Sequence, residues 1–242
     1  MLQDIILGVK YFFKGFSWLK NKQIGHFILI PLIINIILFC GMIFFAKHYF
    51  GMFVGWIDSF LPEWLYFLNW LLWIIFATAA YLVIVYTFVI FANMIASPFN
   101  SFLAEKVEAL VSVEPTFADA GFSDFVKDIP RTIKRELRKL LYYLPLVCLF
   151  LILFIVPVVH VFAGILWFLF SAWMLAIQYL DYPFDNHKIS FKQMKQRLGE
   201  RRLLALSFGA MSLLASLVPI VNFVVIPVSV IGATLMWVEE LQ

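Results

Sequence analysis

Charged side chains are scarce in this sequence and unevenly spread. Only 14% of the 242 residues are Asp, Glu, Lys or Arg, and 64% are hydrophobic, whereas about a quarter of a soluble domain is charged. Four stretches contain no charged residue: 27–46, 64–104, 140–180 and 203–238. Because a membrane span needs about 20 such residues, this pattern excludes a soluble globular protein and predicts an all-α integral membrane protein.

Residues typical of catalytic and metal sites are also few. The two cysteines, Cys40 and Cys148, both lie in apolar stretches, so no disulfide or paired-cysteine metal framework is available. The sequence has no HExxH, P-loop, GxGxxG or GxSxG motif, which are common signs of metal, nucleotide or acyl chemistry. We therefore expect no enzymatic activity, no ATP hydrolysis, no cofactor and no resident metal. The net charge of only +3 gives no reason to expect a nucleic-acid partner.

The basic residues predict the topology. Lys and Arg number four in residues 1–22, one at Lys47, seven in 105–139, six in 181–202 and none after Val238. If the third and fourth uncharged stretches each enter the bilayer and return, 17 of the 18 basic residues lie on the cytoplasmic side, as the positive-inside rule requires. The prediction is a single membrane domain over 1–242. It has long transmembrane helices at 26–46 and 64–97, two partly penetrating or re-entrant hairpins at 140–180 and 203–238, and both termini in the cytoplasm.

Several amphipathic segments complete this plan. Residues 2–22 are predicted to form a helix in the membrane interface, and their dispersed lysines do not resemble a cleaved signal peptide. The long helix 64–97 is expected to continue into a cytoplasmic helix over 98–113, with Ser97 as a cap and Pro98 in the first turn. A basic amphipathic cytoplasmic helix is predicted over 124–139, and a further cytoplasmic helix over 190–202. Ser190 and Gln193 have the spacing of a capping box that would begin the last of these.

Two polar groupings leave alternatives open. The stretch DYPFDNHK (181–188) offers Asp181, Asp185 and His187 as a metal or proton site. The interpretation we favour is structural: the cluster ends a hairpin, pairs its aspartates with Lys188 or nearby arginines, and precedes a capped helix. The basic face of 124–139 either contacts anionic headgroups, at about 1 kcal/mol per charge, or attracts a transported anion. The residues considered for the anion role are Arg131, Lys134, Arg135 and Arg138.

Several motifs resemble one known family. LWFLFSAWMLAIQYLDYPFDNHK (166–188) is similar to the hallmark sequence of the CysZ sulfate permeases of bacterial inner membranes, part of the EI24-like superfamily. IASPFNSFLAEKVE (95–108) resembles a second hallmark of that family, and 127–139, 218–227 and 232–239 also match. The resemblance implies a homo-oligomeric, multi-pass permease of the inner membrane, surrounded by membrane lipids. It would take up sulfate for cysteine biosynthesis, and possible further substrates are sulfite or other oxyanions. Flux would be channel-like or proton-coupled.

The sequence departs from the family at the motif that binds sulfate. Family members usually read PGLRRFVLIPLLIN before the first span, whereas this chain reads KQIGHFILIPLIIN over 22–35. The anion-binding positions therefore fall on Gln23, Ile24, Gly25 and His26, and both arginines are missing. Backbone N–H groups at the helix start still favour an anion, and Lys20, Lys22 and protonated His26 are the candidate replacement charges. This departure leaves an alternative function open: a membrane-organising or scaffold protein of the same superfamily that transports no sulfate.

Overall fold

The structure is a computed structural model that describes residues 1–21, 23–59, 69–112, 122–156 and 160–242. Regular structure in these ranges is helical, which confirms the all-α prediction. Three helices are long and apolar enough to cross a membrane: Val126–Phe154, Phe162–Asn186 and Pro219–Leu241. The second and third lie largely in the segments predicted as hairpins, and about half of the first does. The arrangement of two long spans with two hairpins stays a prediction, and Pro157 and residues 64–68 lie outside the described ranges.

Eight α-helices and one closing turn make up the described chain. They are α1 (Leu2–Trp18), α2 (Gly25–Asp58), α3 (Asn69–Val111), α4 (Phe122–Ile155), α5 (His160–Asn186), α6 (Phe191–Glu200), α7 (Arg202–Ser216), α8 (Pro219–Met236) and a π-helical turn at Trp237–Leu241. The chain divides into two compact units, residues 1–30 with 97–242, and residues 31–96. In the second unit, α2 and α3 are joined by an edge-to-face contact between Phe39 and Phe88, with ring centroids 6.4 Å apart.

Two helices continue through positions where the sequence predicted a boundary. α3 runs without a break through Pro98, so the expected cap at Ser97 is wrong. The Ser97 hydroxyl instead donates a buried hydrogen bond to Glu136 Oε1 at 2.6 Å. α4 likewise joins the predicted basic helix and the first arm of the predicted hairpin into one helix of 34 residues. By contrast, the capping box at Ser190 and Gln193 is confirmed at the start of α6.

The N-terminal helix packs against protein on one face only. Gly8 and Gly15 of α1 let its backbone approach α7 and α8 closely, and a side chain at Gly15 would overlap the Val228 carbonyl. Tyr11 and Phe12 are buried on this face, but several apolar side chains on the rest of α1 are exposed, among them Ile5, Ile6 and Phe13. The helix is therefore docked through small residues and keeps an apolar face of the kind that interfacial helices place in the headgroup region.

A second close contact holds α7 against α5. A side chain on Gly209 would overlap the Ala172 carbonyl oxygen, and both residues are buried. Small residues at such contacts are typical of helices packed in membranes, where van der Waals contact supplies much of the association energy. α7 has 15 residues, a length of about 22 Å, which is shorter than the roughly 30 Å apolar core of a bilayer.

Candidate functional site

The most extensive polar cluster in the described chain joins the N-terminal half of α4 to the C-terminal half of α5. Arg135 Nε donates to Asp181 Oδ1 at 2.8 Å, and Arg135 Nη1 donates to the Ile189 carbonyl at 2.9 Å. One turn earlier on α4, Arg131 pairs with Asp185, one turn later on α5. The two helices are therefore antiparallel neighbours whose charges match turn by turn. We call this cluster the α4–α5 ionic network.

Lys139 continues the network and is almost completely buried. Only 1% of its side chain is exposed, and its ammonium group lies 2.6 Å from Glu136 Oε1 and 3.4 Å from Asp181 Oδ2. Burial of an unpaired ammonium would cost several kcal/mol, so these carboxylates are needed to keep Lys139 charged in place. Glu136 in turn accepts hydrogen bonds from Ser97 and Gln178.

α3 adds neutral polar groups to the same cluster. The Asn100 amide donates to Tyr182 Oη at 3.3 Å, and the Asn186 amide donates to the Ser101 carbonyl at 2.9 Å. Residues from 95–108, 127–139 and 166–188 thus meet at one place, although they are far apart in sequence. Three of the segments that carry the family resemblance are therefore in contact through buried polar side chains.

The α4 helix buries charged side chains and exposes apolar ones, the reverse of a helix in a soluble protein. Arg135, Glu136 and Lys139 are buried, while Leu141 and Leu144 are 72% and 61% exposed. An apolar face that points outward is stable when the surrounding medium is lipid. The interpretation of the whole basic face as a headgroup-facing surface is therefore wrong for Lys139, which faces the protein interior.

The network's charges nearly balance, which limits what it can do chemically. It contains three cations and four carboxylates: Arg131, Arg135, Lys139, Asp128, Glu136, Asp181 and Asp185. The ion pairs confirm that the aspartates of DYPFDNHK bind nearby arginines. Among the described residues, no group of three or more His, Cys, Asp or Glu side chains is arranged to hold a metal ion. The geometry is that of a structural clamp between helices.

Two further polar clusters tie the chain ends to the same unit. His187 Nε2 lies 2.7 Å from Glu108 Oε1, which also accepts a hydrogen bond from Gln242 at 3.1 Å. Arg201 contacts Asp4 at 2.6 Å and Glu240 at 2.7 Å, and its hydrogen bond lowers the pKa of the Asp4 carboxyl. Both termini are therefore fixed beside the start of α7.

The predicted anion motif lies at the N-terminus of α2. Ile24 is fully buried and Gln23 is exposed, and α2 begins at Gly25. The N–H groups of Gln23 and Ile24 already donate to Asn21, at 3.0 and 3.3 Å. The first N–H groups of α2, from Gly25 onward, have no partner within the helix. The space around Gly25 is open for at least 4 Å from an added side-chain carbon.

The charges proposed to support that motif differ in their surroundings. Lys22 and the His26 side chain lie outside the described part of the structure, and Lys20 is exposed. On α4, Lys134 and Arg138 are also exposed. A role for Arg131 and Arg135 in attracting an anion stays a prediction, and both guanidinium groups are already paired with carboxylates.

Comparison with known proteins decides the family. A family model described as "Sulfate transporter CysZ/Etoposide-induced protein 2.4" matches residues 11–227. The chain belongs to the CysZ family. Proteins named sulfate transporter CysZ are 43% identical to it in Pseudomonas fluorescens strain Pf0-1, over 99% of this chain and 96% of the relative, and in Pseudomonas syringae pv. tomato, over 97% and 93%. The relative from Pectobacterium atrosepticum is also 43% identical, over 96% and 85%.

Membership in the CysZ family confirms the resemblance seen in the motifs. Together with the apolar helices, it points to a bacterial membrane protein. The sequence did not reveal that Lys139 and Glu136 belong to the buried core of this CysZ-family chain. One signal was available: Arg131 and Arg135 are spaced four apart, as are Asp181 and Asp185, which is the spacing expected for two antiparallel helices that pair charges.

Glu105 should make the stability of this CysZ-family chain depend on pH. Burial, and next the neighbouring Asp128 carboxylate, raise the pKa of Glu105 from 4.5 to about 7. Since the folded chain then holds this proton more tightly than the unfolded chain, stability falls as pH rises from about 4.5 to about 7, by roughly 3 kcal/mol at most. Glu105→Gln removes this loss, so the variant should gain thermal stability over the parent at pH 8 but not at pH 4.5.

The control for this experiment is Glu200→Gln, because Glu200 is exposed. Thermal unfolding in detergent is measured for the parent and both variants between pH 4.5 and 8. A pH-independent difference between Glu105→Gln and the parent would contradict the prediction.

Proposed function

We propose that this protein transports sulfate across the bacterial inner membrane as a multi-pass permease that needs no ATP hydrolysis. The observation that carries the proposal is the 43% identity, over nearly the whole chain, to proteins named sulfate transporters. The sulfate would supply cysteine biosynthesis, and the working unit would be a homo-oligomer embedded in membrane lipids. Sulfite and other oxyanions of similar shape are the candidate competing substrates.

The proposed sulfate site is the N-terminus of α2. The helix start provides N–H donors that point at an anion, and the surroundings of Gly25 leave room for one. Since the N–H groups of Gln23 and Ile24 are engaged by Asn21, the donors would come from Gly25 and His26 onward. Lys20, Lys22 and protonated His26 would supply positive charge in place of the missing arginines.

The proposed orientation puts both termini in the cytoplasm. Arg201 binds Asp4 and Glu240, so both chain ends lie on the membrane side that carries residues 181–202. That segment and residues 1–22 are rich in Lys and Arg, which favours the cytoplasmic side. In this arrangement the exposed Lys134 and Arg138 add positive potential on the same side, and the α4–α5 ionic network holds the helices in register.

The membrane potential limits what such a permease can do alone. Entry of a divalent anion against an inside-negative potential costs about 4.6 kcal/mol per 100 mV. Net uptake therefore needs either proton entry or rapid consumption of sulfate inside the cell. In liposomes, a passive conduit would run faster when the interior is made positive and would not respond to a proton gradient at constant potential.

Sulfate uptake by proteoliposomes tests the proposal. Purified protein should take up radiolabelled sulfate, and Lys22→Ala combined with His26→Ala should slow uptake about tenfold at limiting sulfate, which corresponds to about 1.4 kcal/mol of lost binding. Uptake by the parent should also decrease between pH 5.5 and 8, because histidine usually loses its proton in this range.

The matched control is His48→Ala, which changes a histidine of the same helix outside the motif. It should leave uptake and its pH profile unchanged. If the folded parent passes no sulfate, the transport proposal fails and the scaffold alternative gains support. If uptake occurs but does not depend on pH or on residues 22 and 26, the proposed site is wrong while transport stands.

A further inference from the structure

An open groove of about 640 Å³ lies among α4, α5, α6 and α7. All of the residues that line it belong to the first compact unit. Its floor is formed by apolar and aromatic side chains of α4 and α5: Phe150, Leu166, Leu169, Phe170 and Trp173. Such a volume is within the roughly 300–1,000 Å³ of small-molecule sites. The surrounding surface of α4 and α5 is also apolar and exposed, for example at Leu151 and Ile165, so the groove opens where the bilayer would be.

One end of the groove is positively charged. Lys195 and Arg202 line it, together with Gly199. The Lys195 ammonium lies over the Tyr142 ring, 4.0 Å from its centroid, and Arg202 Nε donates to the Gly199 carbonyl at 3.0 Å. Within the described residues, neither side chain forms a salt bridge with a carboxylate, in contrast to Arg131, Arg135 and Arg201.

The groove extends from this charged end along the helices. Tyr142 and Phe150 both line it, and eight residues of α-helix span about 12 Å. From Tyr142 to Phe150, α4 runs toward the middle of the predicted hairpin 140–180. The apolar floor therefore leads away from the basic end and toward the membrane interior. A bound molecule therefore meets positive charge at one end and an apolar channel along the rest.

From this geometry we infer that the groove binds one anionic phospholipid, with the phosphate at Lys195 and Arg202 and an acyl chain along the apolar floor. Each basic side chain near the surface adds about fivefold to the binding of an anionic lipid. The apolar floor distinguishes this ligand from free sulfate or phosphate, which would gain nothing from contact with Phe170 or Trp173. The inference does not depend on the transport proposal, because none of these residues belongs to the sulfate motif.

Native mass spectrometry of the full chain, released from detergent, tests the charged end. The probes are phosphatidylglycerol and phosphatidylcholine. The parent should retain phosphatidylglycerol in preference to phosphatidylcholine, and Lys195→Gln with Arg202→Gln should weaken that binding about 30-fold while phosphatidylcholine binding is unchanged. The control pair is Lys188→Gln with Lys192→Gln, which removes two exposed charges outside the groove and should keep the parent's preference.

A second pair of variants tests whether the lipid occupies the groove, without changing charge. Gly199 and Gly164 both have open space around an added side chain, but only Gly199 lines the groove. Gly199→Leu should fill the groove and displace phosphatidylglycerol, and Gly164→Leu should not. Circular dichroism and thermal unfolding confirm that each variant is folded.

Three outcomes would overturn the inference. Equal binding of phosphatidylglycerol and phosphatidylcholine would remove the role of charge. An equal loss of phosphatidylglycerol binding in the control pair would show that the overall positive charge of the surface, and not the groove, attracts the lipid. Competition by glycerol phosphate or sulfate at concentrations similar to those of phosphatidylglycerol would identify a small-anion site.

Discussion

Asp181→Ala is expected to lower the free energy of unfolding by about 3–5 kcal/mol, the usual cost of leaving buried charges without their partner. Asp181 contacts both Arg135 and Lys139, which are 6% and 1% exposed. Glu136 still neutralises Lys139 in the variant, but Arg135 is left with the Ile189 carbonyl and with the more distant Asp185 carboxylate, at 3.7 Å. Thermal or denaturant-induced unfolding in detergent at pH 7 measures the loss.

A matched aspartate provides the control. Asp128 pairs with Arg131 at 2.9 Å, but its side chain is 51% exposed, so Asp128→Ala should cost less than about 1 kcal/mol. Replacement of Arg135, Glu136, Lys139 and Asp181 together by apolar residues of similar size should recover part of the stability, because it leaves no unpaired charge of this group behind and such replacements are often neutral. Similar losses for Asp128→Ala and Asp181→Ala would contradict the view that burial makes the network costly to break.

Gly209→Val is expected to reduce the yield of folded protein and to destabilise what remains by about 3 kcal/mol or more, the upper end of typical overpacking costs. The new side chain would overlap the Ala172 carbonyl of α5, and a backbone carbonyl cannot move aside as a flexible side chain can. α5 and α7 would have to separate along their contact, and van der Waals packing between them would be lost. Yield after detergent extraction and the midpoint of thermal unfolding are the measurements.

Gly164→Val is the corresponding control, since it introduces the same side chain into α5 at a position with open space around it. Both substitutions change helix propensity in the same way. A difference in stability between the two variants therefore measures the contribution of the contact between α5 and α7. If Gly209→Val unfolds at the temperature of Gly164→Val, the close contact between α5 and α7 is not essential.

Periodicity in the sequence located the faces of α4, but it did not identify the medium that each face meets. In a soluble helix, Leu144 would be inside and Lys139 outside. Here Leu144 is 61% exposed and Lys139 is buried, because Glu136 on α4 and Asp181 on α5 pair with the ammonium group and lipid can surround the leucine. Only the pairing of α4 with α5 determines this orientation, and that pairing depends on contacts between residues about 50 positions apart.

Local signals were reliable where their partners were also local. The Ser190 cap depends on Gln193, three residues away, and was predicted correctly. Ser97 had an equally suitable sequence context, but its hydroxyl bonds Glu136 on another helix. The motifs identified the family because each can be recognised in the sequence alone. That three of them form one polar cluster could be seen only in the folded structure.

The docking of α1 has a consequence for how the protein is made. Its partners α7 and α8 are synthesised roughly 200 residues after α1, and Arg201, which joins Asp4 to Glu240, completes its contacts only after Glu240 has been made. At about 5–20 residues per second, α1 waits for about 10–40 s without them. During that interval Phe12 on the docking face lacks its helix partners, and the membrane surface is available to cover both it and Phe13 on the other face. The interfacial position predicted for this helix would therefore be its first environment, before it docks against α7 and α8.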